Sequence, residues 1–146
     1  MKKISVLFVS ILILGIIFTS CSNDEGPVDM ALIEGKWNFN KSTATSSGIT
    51  IPFPTQYFKN EEGCNKDYVD ILKGGTVKYG DYSLNCAFVG KDGTWTQSGN
   101  TITIRVSGTT LDGTFNVTSL TANELILKYE GSYGGQTGTF NLHFTK

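Results

Sequence analysis

The sequence predicts an all-β domain: a single antiparallel up-and-down β-barrel of about eight strands, with a two-sheet β-sandwich as the alternative that carries the same pattern. Three observations point there. From Gly35 onward apolar and polar residues alternate in steps of two, the period of half-buried strands. Turn-forming pairs interrupt that alternation about every ten residues, as a meander requires. The 146 residues are 12% aromatic and only 17% charged, and they hold 17 Gly without a three-residue period, so disorder and collagen are both excluded.

The elements follow in order. Met30 to Glu34 has the composition of one helical turn before the first strand. Trp37 and Phe39 share a face of that strand, expected over 36–41. The stretch from Ser42 to Thr55, rich in Ser, Thr and Gly, reads as a wide loop, and Gln56 to Glu62 as a second helical turn. Val69 and Ile71 flank Asp70 in a strand over 67–73, and Gly74-Gly75 turns the chain into a strand over 76–83. Two short strands, 86–90 and 93–97, are separated by Asp92-Gly93, and Gly99-Asn100 ends the second. Ile102, Ile104 and Val106 alternate with Thr101, Thr103 and Arg105 over 101–107. After Asp112-Gly113, Phe115 and Val117 mark a strand over 112–119; after Ala122-Asn123, Leu125, Leu127 and Tyr129 mark another over 124–130. Gly134-Gly135 precedes a ninth strand over 138–145 carrying Phe140, Leu142 and Phe144. Eight or nine such strands must hide their edges, and closure does that most completely.

The chain before this domain reads as an address. Lys2 and Lys3 precede an apolar run over 4–18, about 22 Å long as a helix and short of the ~30 Å hydrocarbon core. A basic start, a short apolar stretch and small residues describe a secretory signal over 1–20. Phe18-Thr19-Ser20-Cys21 resembles a bacterial lipobox, with Phe18 where Leu is usual. That resemblance implies diacylation of Cys21 at its sulfur, a tether over 21–30 and a domain over 31–146. Ser22 followed by Asp24 and Glu25 resembles the surface-export signal of Bacteroidetes lipoproteins, so the expected location is the outer membrane, anchored by lipid, with the cell surface favoured over the periplasmic face. If Cys21 carries lipid, Cys64 and Cys86 remain as a disulfide pair or as two free thiols. Removal of Lys2 and Lys3 leaves 10 basic against 13 acidic side chains, a charge that argues against nucleic acid as a partner.

Leu32-Ile33-Glu34-Gly35-Lys36-Trp37 places Gly-x-Trp at the start of the first strand. Later come the two Cys around a hairpin, Gly93-Thr94-Trp95, Leu120-Thr121-Ala122-Asn123-Glu124-Leu125 and the closing strand Phe140 to Phe144. The ordered set resembles the lipocalins, and more closely the lipocalin-like domains of Bacteroidetes outer-membrane lipoproteins, and spans about residues 31–146. The second lipocalin motif, Thr-Asp-Tyr, is absent, which marks an outlying member. The resemblance implies a barrel in preference to a sandwich. It also implies that Trp37 plugs one end and that a basic side chain, here Lys146, packs over its ring.

Chemistry is sparse. His143, the only His, points away from Leu142 and Phe144 toward solvent. Asp67 and Asp70 fall on opposite faces, unsuited to paired-carboxylate catalysis, and Glu61 and Glu62 read as solvated. No catalytic set, metal site or cofactor motif emerges, so the expected class is a binding protein, not an enzyme. The candidate interior lining is Trp37, Phe39, Trp95, Ile102, Ile104, Phe115, Leu125, Leu127, Tyr129, Phe140, Leu142 and Phe144, suited to one small hydrophobic ligand or to packing as solid core. The alternative is a solid-cored surface module that meets proteins or glycans through its loops, using Tyr57, Tyr68, Tyr79 and Tyr82 as an exposed aromatic stretch.

Overall fold

The computed structural model describes residues 28–53, 59–133 and 136–146. The signal, Cys21, most of the tether, Tyr57 and the Gly134-Gly135 turn lie outside them. Nine strands follow a short 3-10 turn at Met30–Leu32: β1 (Gly35–Ser46), β2 (Ile49–Pro52), β3 (Tyr68–Leu72), β4 (Thr76–Tyr82), β5 (Phe88–Ser98), β6 (Thr101–Arg105), β7 (Gly113–Leu120), β8 (Glu124–Tyr133) and β9 (Gln136–Thr145). All neighbours are antiparallel, and β9 pairs back onto β1 from Asn38↔Thr145 to Thr45↔Thr139. Eight strands, β1 and β3 to β9, therefore form a closed barrel, and β2 is an extra strand. The sandwich alternative is set aside by that closure.

Two expectations fail for the same reason, that backbone pairing needs no apolar pattern. The region read as a wide loop from Ser42 is strand through Ser46, and Ile49–Pro52 folds back on it as β2. Thr43 to Ser46 carry little hydrophobic signal, but β2 pairs with all four and β9 with Thr43 to Thr45, which gives their N–H and C=O groups partners. Likewise the two short strands around Asp92-Gly93 are one continuous β5. Gly93 is needed there for proximity and not for a turn: a Cβ on it would lie 2.1 Å from the Arg105 carbonyl oxygen, where β5 transfers its pairing from β4 to β6.

The expected helical turn over Gln56 to Glu62 lies partly outside the described residues, and Lys59 to Glu61 are not helical. That segment is instead held by Asp67, which is fully buried. Its carboxylate accepts N–H bonds from Lys59 (2.9 Å) and Tyr82 (2.7 Å). Its own N–H donates to Asn60 Oδ1 at 3.0 Å, and the Asn60 amide donates to the Phe39 carbonyl at 2.8 Å. Burial pushes the Asp67 pKa up; the Tyr82 and Lys59 N–H groups pull the other way, and the Asp81 and Glu61 carboxylates add to the rise. The knot joins β1, β3 and the end of β4. Beside it Cys64 and Cys86 form a disulfide (S–S 2.05 Å) that brackets the β3–β4 hairpin.

A register shift in β1 between Phe39 and Lys41 changes which residues face inward. Trp37 and Phe39 point in before it, Ser42 and Ala44 after it, in step with the burial along the strand. The interior holds one apolar cluster to which every barrel strand except β5 contributes buried residues, including Trp37, Val69, Val77, Ile102, Leu127 and Phe144, while β5 adds only the partly buried Trp95.

Candidate ligand-binding site at the barrel mouth

The barrel has a sealed end and an aromatic end. At the sealed end Gly35, with φ of 121°, turns the chain from the 3-10 turn into β1. Trp37 is wholly buried, and its indole N–H donates to the Ile33 carbonyl at 2.7 Å. Lys146 lays its ammonium 4.2 Å from the centre of that ring and bonds the Glu34 carbonyl at 3.3 Å. The contact implied by the resemblance is present, made by the last residue of the chain. Above this floor Ile102, Ile104, Leu125, Leu127, Leu142 and Phe144 are each 1% exposed or less, and Phe39 meets Phe144 edge-to-face at 5.9 Å. These candidates are packed against one another as core. Trp95 is placed differently: half-buried at the sealed end, its N–H on the Leu72 carbonyl at 2.8 Å, beside the 3-10 turn.

At the other end four rings form a row. Phe115 and Tyr129 meet edge-to-face at 5.7 Å, Tyr129 stacks on Phe140 at 5.1 Å, and Phe140 meets Phe53 at 4.9 Å. Each ring comes from a different segment: β7, β8, β9 and the residue after β2. Burial raises the Tyr129 pKa, which keeps its phenol neutral across the physiological range. Phe53 is fixed by Ser42, whose hydroxyl donates to its carbonyl while the Phe53 N–H returns to the Ser42 carbonyl at 2.9 Å. Register puts Phe140, Ala44 and Ile51 side by side on the inner face. Between them opens a cleft of about 230 Å³ lined chiefly by Ala44, Ile51, Phe53, Gly138 and Phe140. Ile49 and Ile51, on the same face of β2 beside it, are 68% and 54% exposed.

Sequence reasoning placed Phe115, Tyr129 and Phe140 in the interior and missed Ile49, Ile51 and Phe53. The signal was the alternation Ile49-Thr50-Ile51, hidden by its Ser, Thr and Gly surroundings. Of the tyrosines expected as an exposed stretch, Tyr79 is 3% exposed inside the barrel, with its hydroxyl 3.3 Å from Asp81; burial there holds its phenol well above the usual range. Tyr68 and Tyr82 lie half-buried on the outer wall beside Phe88. His143 does face outward, 3.5 Å from the Thr43 hydroxyl, with its pKa lowered by partial burial and by Lys41. Glu62 is exposed, while Glu61 is partly covered and pairs with Lys59 at 3.4 Å. Among the described residues no group of three or more His, Cys, Asp or Glu side chains is placed to hold a metal, and no helix is long and apolar enough to cross a membrane.

Comparison with known proteins agrees with this geometry. The family model of the lipocalin-like domain matches residues 33–127. A lipocalin-like protein from Bacteroides uniformis superposes with a TM-score of 0.53 at 16% identity, covering 79% of this chain and 98% of the other. Lobster apocrustacyanin A1 superposes with a TM-score of 0.51 at 12% identity, covering 81% of this chain and 62% of the other. Identities this low establish the shared fold alone. No protein of curated function matches the chain by sequence.

Proposed function

Because the chain belongs to the lipocalin-like domain family, we propose that it is a lipid-anchored cell-envelope lipoprotein whose barrel binds a small hydrophobic ligand at its mouth. The observation that carries the reading is the row Phe115–Tyr129–Phe140–Phe53 ending in an apolar cleft beside the exposed Ile49 and Ile51. Apolar surface left in water at a concave site is stabilised by an apolar guest, at roughly 25 cal/mol per Å² removed from water. The solid core below limits the guest to the upper barrel. The fold family generally binds ligands, which favours a carrier over an enzyme.

The anchor rests on the sequence: the basic start, the apolar run and Cys21 in lipobox context. Val28, the first described residue, packs on the core beside the 3-10 turn at the sealed end, so a tether leaving there keeps the mouth clear of the membrane. Outer-membrane placement, with the cell surface preferred, follows from Ser22, Asp24 and Glu25 after the lipidated Cys. A second reading, a surface module that contacts proteins or glycans, is favoured by one observation. Leu84, Phe88 and Val89 are 73%, 52% and 45% exposed on the outer wall, with Phe88 against Tyr68 and Tyr82.

The test uses the Cys21→Ala chain prepared without detergent. A fluorescent fatty-acid probe is expected to bind with one-to-one stoichiometry, and Phe140→Ala to weaken it about tenfold. Absence of any bound species by titration and by native mass spectrometry overturns the carrier reading and leaves the surface module. In cells, Cys21→Ala is expected to leave the membrane fraction; full-length protein still bound there overturns the anchor.

A further inference from the structure

The outer face of β3, β4 and β5 carries an open aromatic ring bordered by polar side chains. Val69, Ile71, Val77 and Tyr79 are buried, so the residues that alternate with them along β3 and β4 point outward. Directly paired residues share a face, and the register therefore sets three outward rows across the strands. One holds Tyr68, Gly80 and Gly90, the next Tyr82 and Phe88, and on the other side lie Lys36, Asp70, Lys78 and Asp92.

The two glycines let rings lie down on the sheet. A Cβ on Gly80 would collide with three atoms of the Tyr68 ring, and one on Gly90 would come within 3.0 Å of the Phe88 ring. Laid against these glycines, the Tyr68 and Phe88 rings are 13° from parallel with centres 6.4 Å apart, and Tyr82 tilts against Phe88 at 5.1 Å. The Lys36 ammonium covers the Tyr68 ring at 3.9 Å, which leaves Phe88, 52% exposed, as the open ring.

The polar groups around Phe88 are accessible and uncommitted. Burial raises the Tyr68 pKa, and Tyr82, Asp70 and Asp92 add to the rise, which places the phenol among them. None of the Tyr68, Asp70, Lys78, Tyr82 and Asp92 side chains is buried, and their polar atoms make no hydrogen bond or ion pair among the described residues. Two ammonium groups and two carboxylates alternate along the charged row and cancel, so the face has no net charge with which to attract a polyanion or a polycation. A purely apolar partner would strip water from these groups and return no hydrogen bonds. A neutral sugar fits both parts. The C–H groups on one side of a pyranose meet the negative face of an aromatic ring, and the hydroxyls at its edge both donate and accept.

We propose that this outer face binds a neutral oligosaccharide, with one pyranose ring stacked on Phe88 and its hydroxyls bonded to the Tyr68 and Tyr82 phenols and to Asp92. The proposal rests on the surface-module reading and names the partner of that surface; it holds whether or not the barrel carries a ligand.

The test titrates the ¹⁵N-labelled Cys21→Ala chain with cellohexaose, maltohexaose and mannohexaose. At least one is expected to bind with a dissociation constant of about 1 mM or below, with amide shifts at 68, 80–82 and 88–92. Phe88→Ala is expected to weaken that sugar about tenfold and Asp92→Ala about threefold, with unchanged thermal midpoints showing that both variants fold. Absence of binding by all three sugars, shifts confined to other residues, or binding that survives Phe88→Ala unchanged overturns the saccharide site. Shifts at Leu84 and Phe88 that grow with protein concentration in the absence of sugar, with no response to any sugar, assign the face to a second copy of the chain. The saccharide then falls while the surface-module reading stands.

Discussion

Replacing Trp37 by Phe tests the sealed end in a way that separates its three contributions. The indole N–H bond to Ile33 is lost, and because Ile33 is 1% exposed its carbonyl is left without a partner, at a cost of about 1–3 kcal/mol. The second ring of the indole leaves a void in a residue that is wholly buried, adding about 1 kcal/mol. The Lys146 ammonium, 4.2 Å from the ring centre, loses its better π partner, worth about 0.5 kcal/mol at an exposed position. The expected total is about 2.5–4.5 kcal/mol, a substantial part of the 5–15 kcal/mol typical of a domain. Urea unfolding followed by far-ultraviolet circular dichroism measures it, and emission from Trp95 gives an independent probe. Lys146→Met in both backgrounds closes a double-mutant cycle and isolates the ring–ammonium coupling. A loss below about 1 kcal/mol for Trp37→Phe would refute the account of Trp37 as a buried, hydrogen-bonded plug.

Three further outcomes follow from the fold. Cys64→Ser with Cys86→Ser should cost about 3 kcal/mol, the chain-entropy value for a separation of 22 residues, and reductant should lower the wild-type melting temperature equally while leaving the double variant unmoved. Gly93→Ala should destabilise by about 3 kcal/mol or more, because the Arg105 carbonyl that its Cβ would strike is backbone; Gly99→Ala, with open space around it but a φ of 57°, should cost about 1 kcal/mol, and equal costs would count against the close approach. Asp67 holds its proton more tightly folded than unfolded, so the fold gains stability as the pH falls toward the ordinary carboxylate value of 3.8 and loses it as the pH rises through the raised folded value. The urea midpoint of the wild type relative to Asp67→Asn should therefore increase between pH 7 and pH 4, and a decrease would contradict the burial of that carboxylate.

What the sequence determined by itself is whatever a strand's own two faces record. Val69 and Ile71, Ile102 and Ile104, and Leu125 and Leu127 alternate because one side of each strand meets the core, and the structure buries all six. The sealed end was legible too, since Gly35, Trp37 and Lys146 keep a recognisable order along the chain. For Cys64 and Cys86 the sequence left a disulfide and two free thiols both open, and the fold decides for the disulfide by bringing their Cα atoms to 5.2 Å. Tertiary structure decided the rest, because it depends on neighbours that no local pattern encodes. Thr43 to Ser46 are strand because β2 and β9 bond to them, and Asp92-Gly93 is mid-strand because Arg105 passes close by. Asp67 is buried because Lys59, Asn60 and Tyr82, scattered along the chain, supply its bonds. The candidate site belongs to this second class. Phe53, Phe115, Tyr129 and Phe140 are ordinary apolar residues in sequence, and only closure of β9 onto β1 brings them into one row beside an opening.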